Sequence, residues 1–211
     1  YVYLEHSYYS VLTLDLLARY LNLGNISDTN INTTALTNYV LSHAVETTDE
    51  LYFQPTYCTE AEDSLEILET TYQSLAILKL VNESLIDPQK IKNYAESCLI
   101  YSNLEELYLV YKINELLDLG MFFNSTLVRN LILNTYSTSL HSFYRTRDKF
   151  YVPQASLSWV ADMSVSLGLI INDTQIPLVS IENPLNQSYH AWQTPSLVFH
   201  VNETYLDAVY L

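Results

Sequence analysis

Thr71-Tyr72-Gln73-Ser74-Leu75-Ala76-Ile77-Leu78-Lys79-Leu80, followed by Asn82-Glu83-Ser84, is the stretch whose reading decides the fold. Its apolar residues return at helical spacing and it closes at a polar turn. Looser copies run along the chain. Tyr9, Tyr72, Tyr108, Leu157 and Tyr205 mark five of them, 63, 36, 49 and 48 residues apart. Periods of this length belong to helix pairs that stack on their neighbours and bury a shared core.

Working outward, the apolar spacing predicts helices over 7–23, 35–45, 62–80, 87–98, 104–119, 125–136 and 154–169. In the first, Tyr9, Leu12, Leu16, Leu17 and Tyr20 trace one apolar face, and Gly24 and Asn25 suit a left-handed end. Asp87-Pro88 opens the fourth with a capping acid and a proline at its first position. The second and fourth helices align through Leu36/Ile91, Tyr39/Tyr94 and Val40/Ala95. The third and fifth align through Tyr72/Tyr108, Leu75/Tyr111 and Ile77/Ile113. Residues 46–60 read as a long loop whose Leu51-Tyr52-Phe53 must tuck against helices, because an unanchored loop of that length is costly to order. From Ile176 prolines interrupt the pattern, Ser196 to Val201 reads as extended, and Thr204 to Leu211 begins another copy. The expected organisation is an all-α helical-repeat domain over 1–175, a partial α/α toroid or solenoid. A proline-containing extended segment over 176–211 then leads into a further repeat.

Composition narrows the classes. The 211 residues carry 9 Lys+Arg against 24 Asp+Glu, a formal charge of −15, so nucleic acid is not an expected partner. No apolar run has the ~18 residues of a spanning helix, so direct membrane insertion is not expected. The first residue is not Met and no signal-like segment precedes the repeats, so processing or excision from a longer chain is expected. Only three glycines suit helices joined by polar loops better than hairpins.

Seven Asn-x-Ser/Thr triplets, at Asn25, Asn32, Asn82, Asn124, Asn172, Asn186 and Asn202, are roughly twice what random order gives. All fall at expected turns or helix ends, where a bulky glycan fits. Asn is also a good capping residue there. N-linked glycans imply an extracellular or cell-surface location. In that compartment Cys58 and Cys98 could close a disulfide worth about 4 kcal/mol; otherwise they are two unrelated thiols. Arg145, Arg147 and Lys149 sit among aromatics on an otherwise acidic chain. They form a candidate partner contact, or else they neutralise acids on nearby helices.

The acidic run Glu62, Glu66 and Glu69 reads as a sugar or metal site or as a solvated face. His43 on an apolar face reads as a satisfied core histidine. No catalytic, metal or cofactor-binding motif is present, and no cofactor is expected. Carboxylates are plentiful, and a glycosidase needs only two of them brought together in space.

The pattern of 71–80 followed by Asp87-Pro88-Gln89-Lys90-Ile91-Lys92-Asn93-Tyr94 resembles the repeats of the terpenoid cyclase and prenyltransferase α/α-toroid superfamily. The resemblance covers most of 1–172 and implies two concentric rings of helices. Its chemistry does not carry over. The Gly-Gly-Phe turn, the Asp-x-Asp-Asp acid of the cyclases, the Asp-x-Cys zinc arrangement of the prenyltransferases and the Gly-Cys-Gly-Glu-Gln thioester are all missing. The leading expectation is therefore a secreted or cell-surface N-glycosylated scaffold without catalytic activity, contacting other subunits or the rest of a longer chain. The alternatives are an enzyme acting on a lipid or carbohydrate in a toroid cavity, and a surface-layer or filament subunit.

Overall fold

A dense run of buried positions marks the helix that the others pack around. Thr70, Thr71 and Gln73 to Leu78 are all buried, so most of its circumference is covered instead of one apolar stripe. The computed structural model describes residues 4–24, 26, 31–55, 64–120, 123–149, 151–169, 178–183 and 198–202. The chain divides into two units, Tyr1–Leu167 and Gly168–Leu211, each taken by itself below.

The first unit holds seven α-helices among its described residues: α1 (Leu4–Tyr20), α2 (Thr33–Leu41), α3 (Ser64–Val81), α4 (Pro88–Ser97), α5 (Leu104–Leu117), α6 (Ser125–Thr135) and α7 (Ser156–Ser166). They form two layers. One is the row α1, α3, α5, α7, in which α3 packs between α1 and α5, and α5 between α3 and α7. In the other, α2 lies against α3, and α4 and α6 lie against α5. Stacked helix pairs in two layers are an arc of the α/α-toroid architecture that the repeats predict.

Local chemistry fixes the ends. Asn32, Asp87, Asn103 and Asn124 are N-caps, their side-chain oxygens accepting backbone N–H bonds from the first turns of α2, α4, α5 and α6. Asn22 and Gly24 take left-handed conformations just past α1, and Asp118 does so at the end of α5.

Two short hairpins take up stretches expected as loop or as helix ends: Ala44 and Val45 close the expected second helix and Tyr136 the expected sixth, yet all three lie in strands. Strands β1 (Ala44–Glu46) and β2 (Leu51–Phe53) pair antiparallel and lie on α3. Phe53 is fully buried there. Its N–H donates to Thr71 Oγ1 at 3.0 Å and its carbonyl accepts from the same hydroxyl at 3.3 Å. Phe53 is thus anchored, as the cost of ordering a free loop requires. Strands β3 (Tyr136–Ser137) and β4 (Ser142–Phe143) form the second hairpin. His43 is buried, its Nδ1 2.9 Å from the Gln54 carbonyl and its ring edge-on to Tyr39, a satisfied core histidine.

In α1 the apolar face differs from the one read off the sequence. Leu4, Val11, Asp15 and Ala18 are buried, while Tyr9, Leu16, Leu17 and Tyr20 are exposed. Leucines surround this helix, so periodicity alone does not select a face. Asp15 is kept inside by its ion pair with Arg19, at 2.8 Å.

In the second unit β5 (Leu178–Asn183) pairs antiparallel with β6 (Val198–Asn202), Ser180 opposite His200. The extended reading of Ser196 to Val201 meets β6, and β5 was hidden by the prolines. Residues 204–211, the expected further repeat, lie outside the described residues. Among the described residues no helix is long and apolar enough to cross a membrane.

Candidate active site

The inner helices repeat one arrangement. Glu69, Tyr72 and Gln73 on α3 have the same i, i+3, i+4 spacing as Glu105, Tyr108 and Leu109 on α5, and as Glu5, Tyr8 and Tyr9 on α1. On α7 the same step is Ser156 to Trp159. Residues three and four apart share a helix face, so α1, α3 and α5 each present an acid with an aromatic ring one turn further on, and α7 a serine in place of the acid.

Except for Glu5 and Ser156, these residues line one cleft of about 300 Å³. Tyr8 meets Tyr72 edge-on with ring centroids 6.0 Å apart, and Tyr108 stacks on Trp159 at 5.6 Å. The Tyr108 hydroxyl donates to Asp162 Oδ2 at 3.2 Å. Burial, reinforced by the bond to Tyr72, pushes the Tyr8 hydroxyl well above the usual tyrosine range, and burial raises Tyr108 to about 12. Both rings therefore present neutral hydroxyls at any physiological pH.

The two carboxylates of the cleft differ in their surroundings. Glu69 is pushed above the usual carboxylate range by loss of water at the cleft wall and then by repulsion from Glu5, Glu105 and Glu66. The Gln73 amide donates to its Oε1 at 3.2 Å. Glu105 has a cation: Arg145 Nε lies 3.0 Å from its Oε2. That N–H has no aligned acceptor, so the contact is an ion pair and not a hydrogen bond.

A second cavity of about 310 Å³ lies further along the helices and shares Tyr72 with the first. Lys79, Lys112, Glu115 and Leu116 complete it. Lys79 Nζ donates to the Leu116 carbonyl, and Lys112 pairs with Glu115 and, at 3.5 Å, with Asp162. Burial works to lower the Lys112 ammonium, but these acids hold it above the usual lysine range.

Of the residues singled out by sequence, Glu69 lines the cleft and Arg145 pairs with Glu105 at its wall; the others fall elsewhere or lie outside the described residues. Asn32, Asn82 and Asn124 are exposed with their Oδ1 atoms engaged, by Ala35 N, Ser84 Oγ and Leu127 N respectively. Asn202 ends β6, while Asn25, Asn172 and Asn186 lie outside the described residues. Cys98 caps α4, its thiol pushed up by burial, and Cys58 lies outside the described residues. Arg147 donates to the Tyr101 carbonyl at 2.7 Å, and Lys149 is exposed on a left-handed turn. Of the acidic run, Glu69 reaches the cleft, Glu66 acts on it through charge, and Glu62 lies outside the described residues. Among the described residues no group of three or more His, Cys, Asp or Glu could hold a metal ion. Sequence reading missed the pairing of Glu69 with Glu105; its signal was the Glu-x-x-Tyr step shared by α1, α3 and α5.

No protein-family model matches the chain, and no curated protein matches its sequence. Among solved structures its fold is similar to that of Candida albicans protein geranylgeranyltransferase-I complexed with GGPP. The TM-score is 0.52 at 14% identity, over 65% of this chain and 46% of that one. The chain therefore spans less than half the length of the protein it resembles. The likeness is one of fold and places the chain's architecture with the α/α toroids. It also corrects the leading expectation of a secreted, glycosylated scaffold without catalytic activity. The shared fold is that of an enzyme, and nothing in it points to secretion, so the enzyme alternative is the better supported.

Proposed function

We propose that this chain forms part of an enzyme that acts on a carbohydrate held in the cleft between α1, α3, α5 and α7. The observation that carries the reading is the Glu69–Glu105 pair set against Tyr72, Tyr108 and Trp159. Sugar rings have apolar faces that lie on aromatic side chains, and hydroxyl rims that carboxylates and tyrosine hydroxyls bind. A hydrocarbon chain fits the same walls poorly, because it would strip water from two carboxylates without replacing their hydrogen bonds. A diphosphate headgroup meets Glu5, Glu66, Glu69 and Glu105 with Arg145 as the cation paired there.

The reaction this supports is glycoside hydrolysis. Glu69, whose surroundings favour its protonated form, gives its proton to the glycosidic oxygen as the bond to the anomeric carbon breaks. Glu105, seated beside Arg145, takes a proton from the water whose oxygen bonds to that carbon. Two carboxyls with different surroundings are what such a division of roles needs. Tyr72, Tyr108 and Trp159 hold the ring.

Release of reducing sugar from neutral oligosaccharides, followed by chromatography, tests the reading. The chain is expected to release product, and Glu69→Gln to lower the rate about 100-fold or more. Equal rates for the two proteins would remove Glu69 from the reaction.

A further inference from the structure

We infer that the substrate is an oligosaccharide at least two rings long, lying along α3 and α5 from the Glu69–Glu105 cleft to a second subsite built by Lys79, Lys112 and Glu115. The inference rests on the carbohydrate reading above and names the length of chain that reading requires. Its basis is the sharing of Tyr72: one ring forms a wall of both cavities, which have nearly equal volumes of about 300 and 310 Å³. Ten residues of helix separate Glu69 from Lys79, about 15 Å of axial rise, so no single sugar ring touches both. Lys79 follows Tyr72 by seven residues, two turns on and on the same face of α3. Lys112 follows Tyr108 by four on the facing side of α5.

The second cavity suits a hydroxyl-bearing ring. An ammonium has three donors, and Lys79 spends one on the Leu116 carbonyl at the end of α5. Capping that helix end would require nothing more of the side chain, yet it lines an open cavity. Glu115 supplies acceptor oxygens beside it, one already taking the Tyr111 hydroxyl at 3.3 Å. Two lysines balanced by Glu115 and Asp162 leave the subsite without net charge, which fits a neutral ring better than a phosphate.

Trp159 stands in the first cavity, so its fluorescence reports occupancy there, and Trp192→Phe leaves it the sole tryptophan of the chain. The Glu69→Gln protein, slowed so that the sugars stay intact, is titrated with a methyl monosaccharide and with the corresponding di- and tetrasaccharide. The disaccharide is expected to bind about tenfold more tightly than the monosaccharide. Lys79→Met and Leu116→Phe, which narrows the second cavity without removing a charge or adding a tryptophan, should each erase that gain and leave the monosaccharide unaffected. Equal affinities for all lengths, or a gain that survives both substitutions in proteins with native circular dichroism, would overturn the second subsite and leave the carbohydrate reading standing. Failure of every sugar to perturb Trp159 would overturn both.

Discussion

A single hydroxyl ties the central helix to the β1–β2 hairpin. Thr71 Oγ1 bonds both backbone groups of Phe53 inside the core. In Thr71→Val the shape is kept but two buried polar groups lose their partner, at a cost of about 2–3 kcal/mol. The melting temperature should fall by about 5–10 °C, and Thr71→Ser should recover most of it. Equal melting of the valine variant and the parent would show that the hairpin is held by packing alone.

Glu69 belongs to the same scale. Its carboxyl is raised by loss of water and by neighbouring acids, so the folded chain holds that proton more tightly than the unfolded chain does. The resulting stability is present below the ordinary carboxylate range and is lost as pH rises through the raised value. Glu69→Gln should therefore melt slightly higher than the parent at neutral pH, by less than about 2 °C given its exposure, with no difference below about pH 4. As the proton donor, Glu69 should also give hydrolysis a pH profile that falls as pH rises through its raised value, a limb absent from the glutamine variant.

Among the elements, α4 shows how far a local signal reaches. Asp87-Pro88 fixes its start in the sequence, and Asp87 Oδ1 accepts from the Gln89 and Lys90 N–H groups at 3.0 and 3.2 Å. Asp87→Ala should cost about 1 kcal/mol in chemical denaturation, and Asp87→Asn much less. The seven helices were legible because their apolar residues recur at 3.6-residue spacing and Asn or Asp marks several starts. The hairpin β1–β2 was not: strands of three residues are too short to display a period of two. Nor was the inner face of α1, where leucines point in every direction and burial follows Val11 and Ala18 at sevenfold spacing.

For the molecule as a whole, the repeat was legible and the site only half so. Tyr72 and Tyr108 mark successive copies of the unit, and stacking the copies brings their rings into one cleft. Spacing along the chain cannot show that Glu69 and Glu105, 36 residues apart, line one cleft. Only the packing of α3 against α5 does. On the proposed reading, the acidic lining of this cleft disfavours an anionic ligand, although the fold resembles that of a protein solved with GGPP. Direct competition decides between those two chemistries. Trp159 fluorescence in the Glu69→Gln protein should respond to a neutral oligosaccharide and remain unchanged by GGPP. A response to GGPP alone would contradict the assignment of this cleft to carbohydrate.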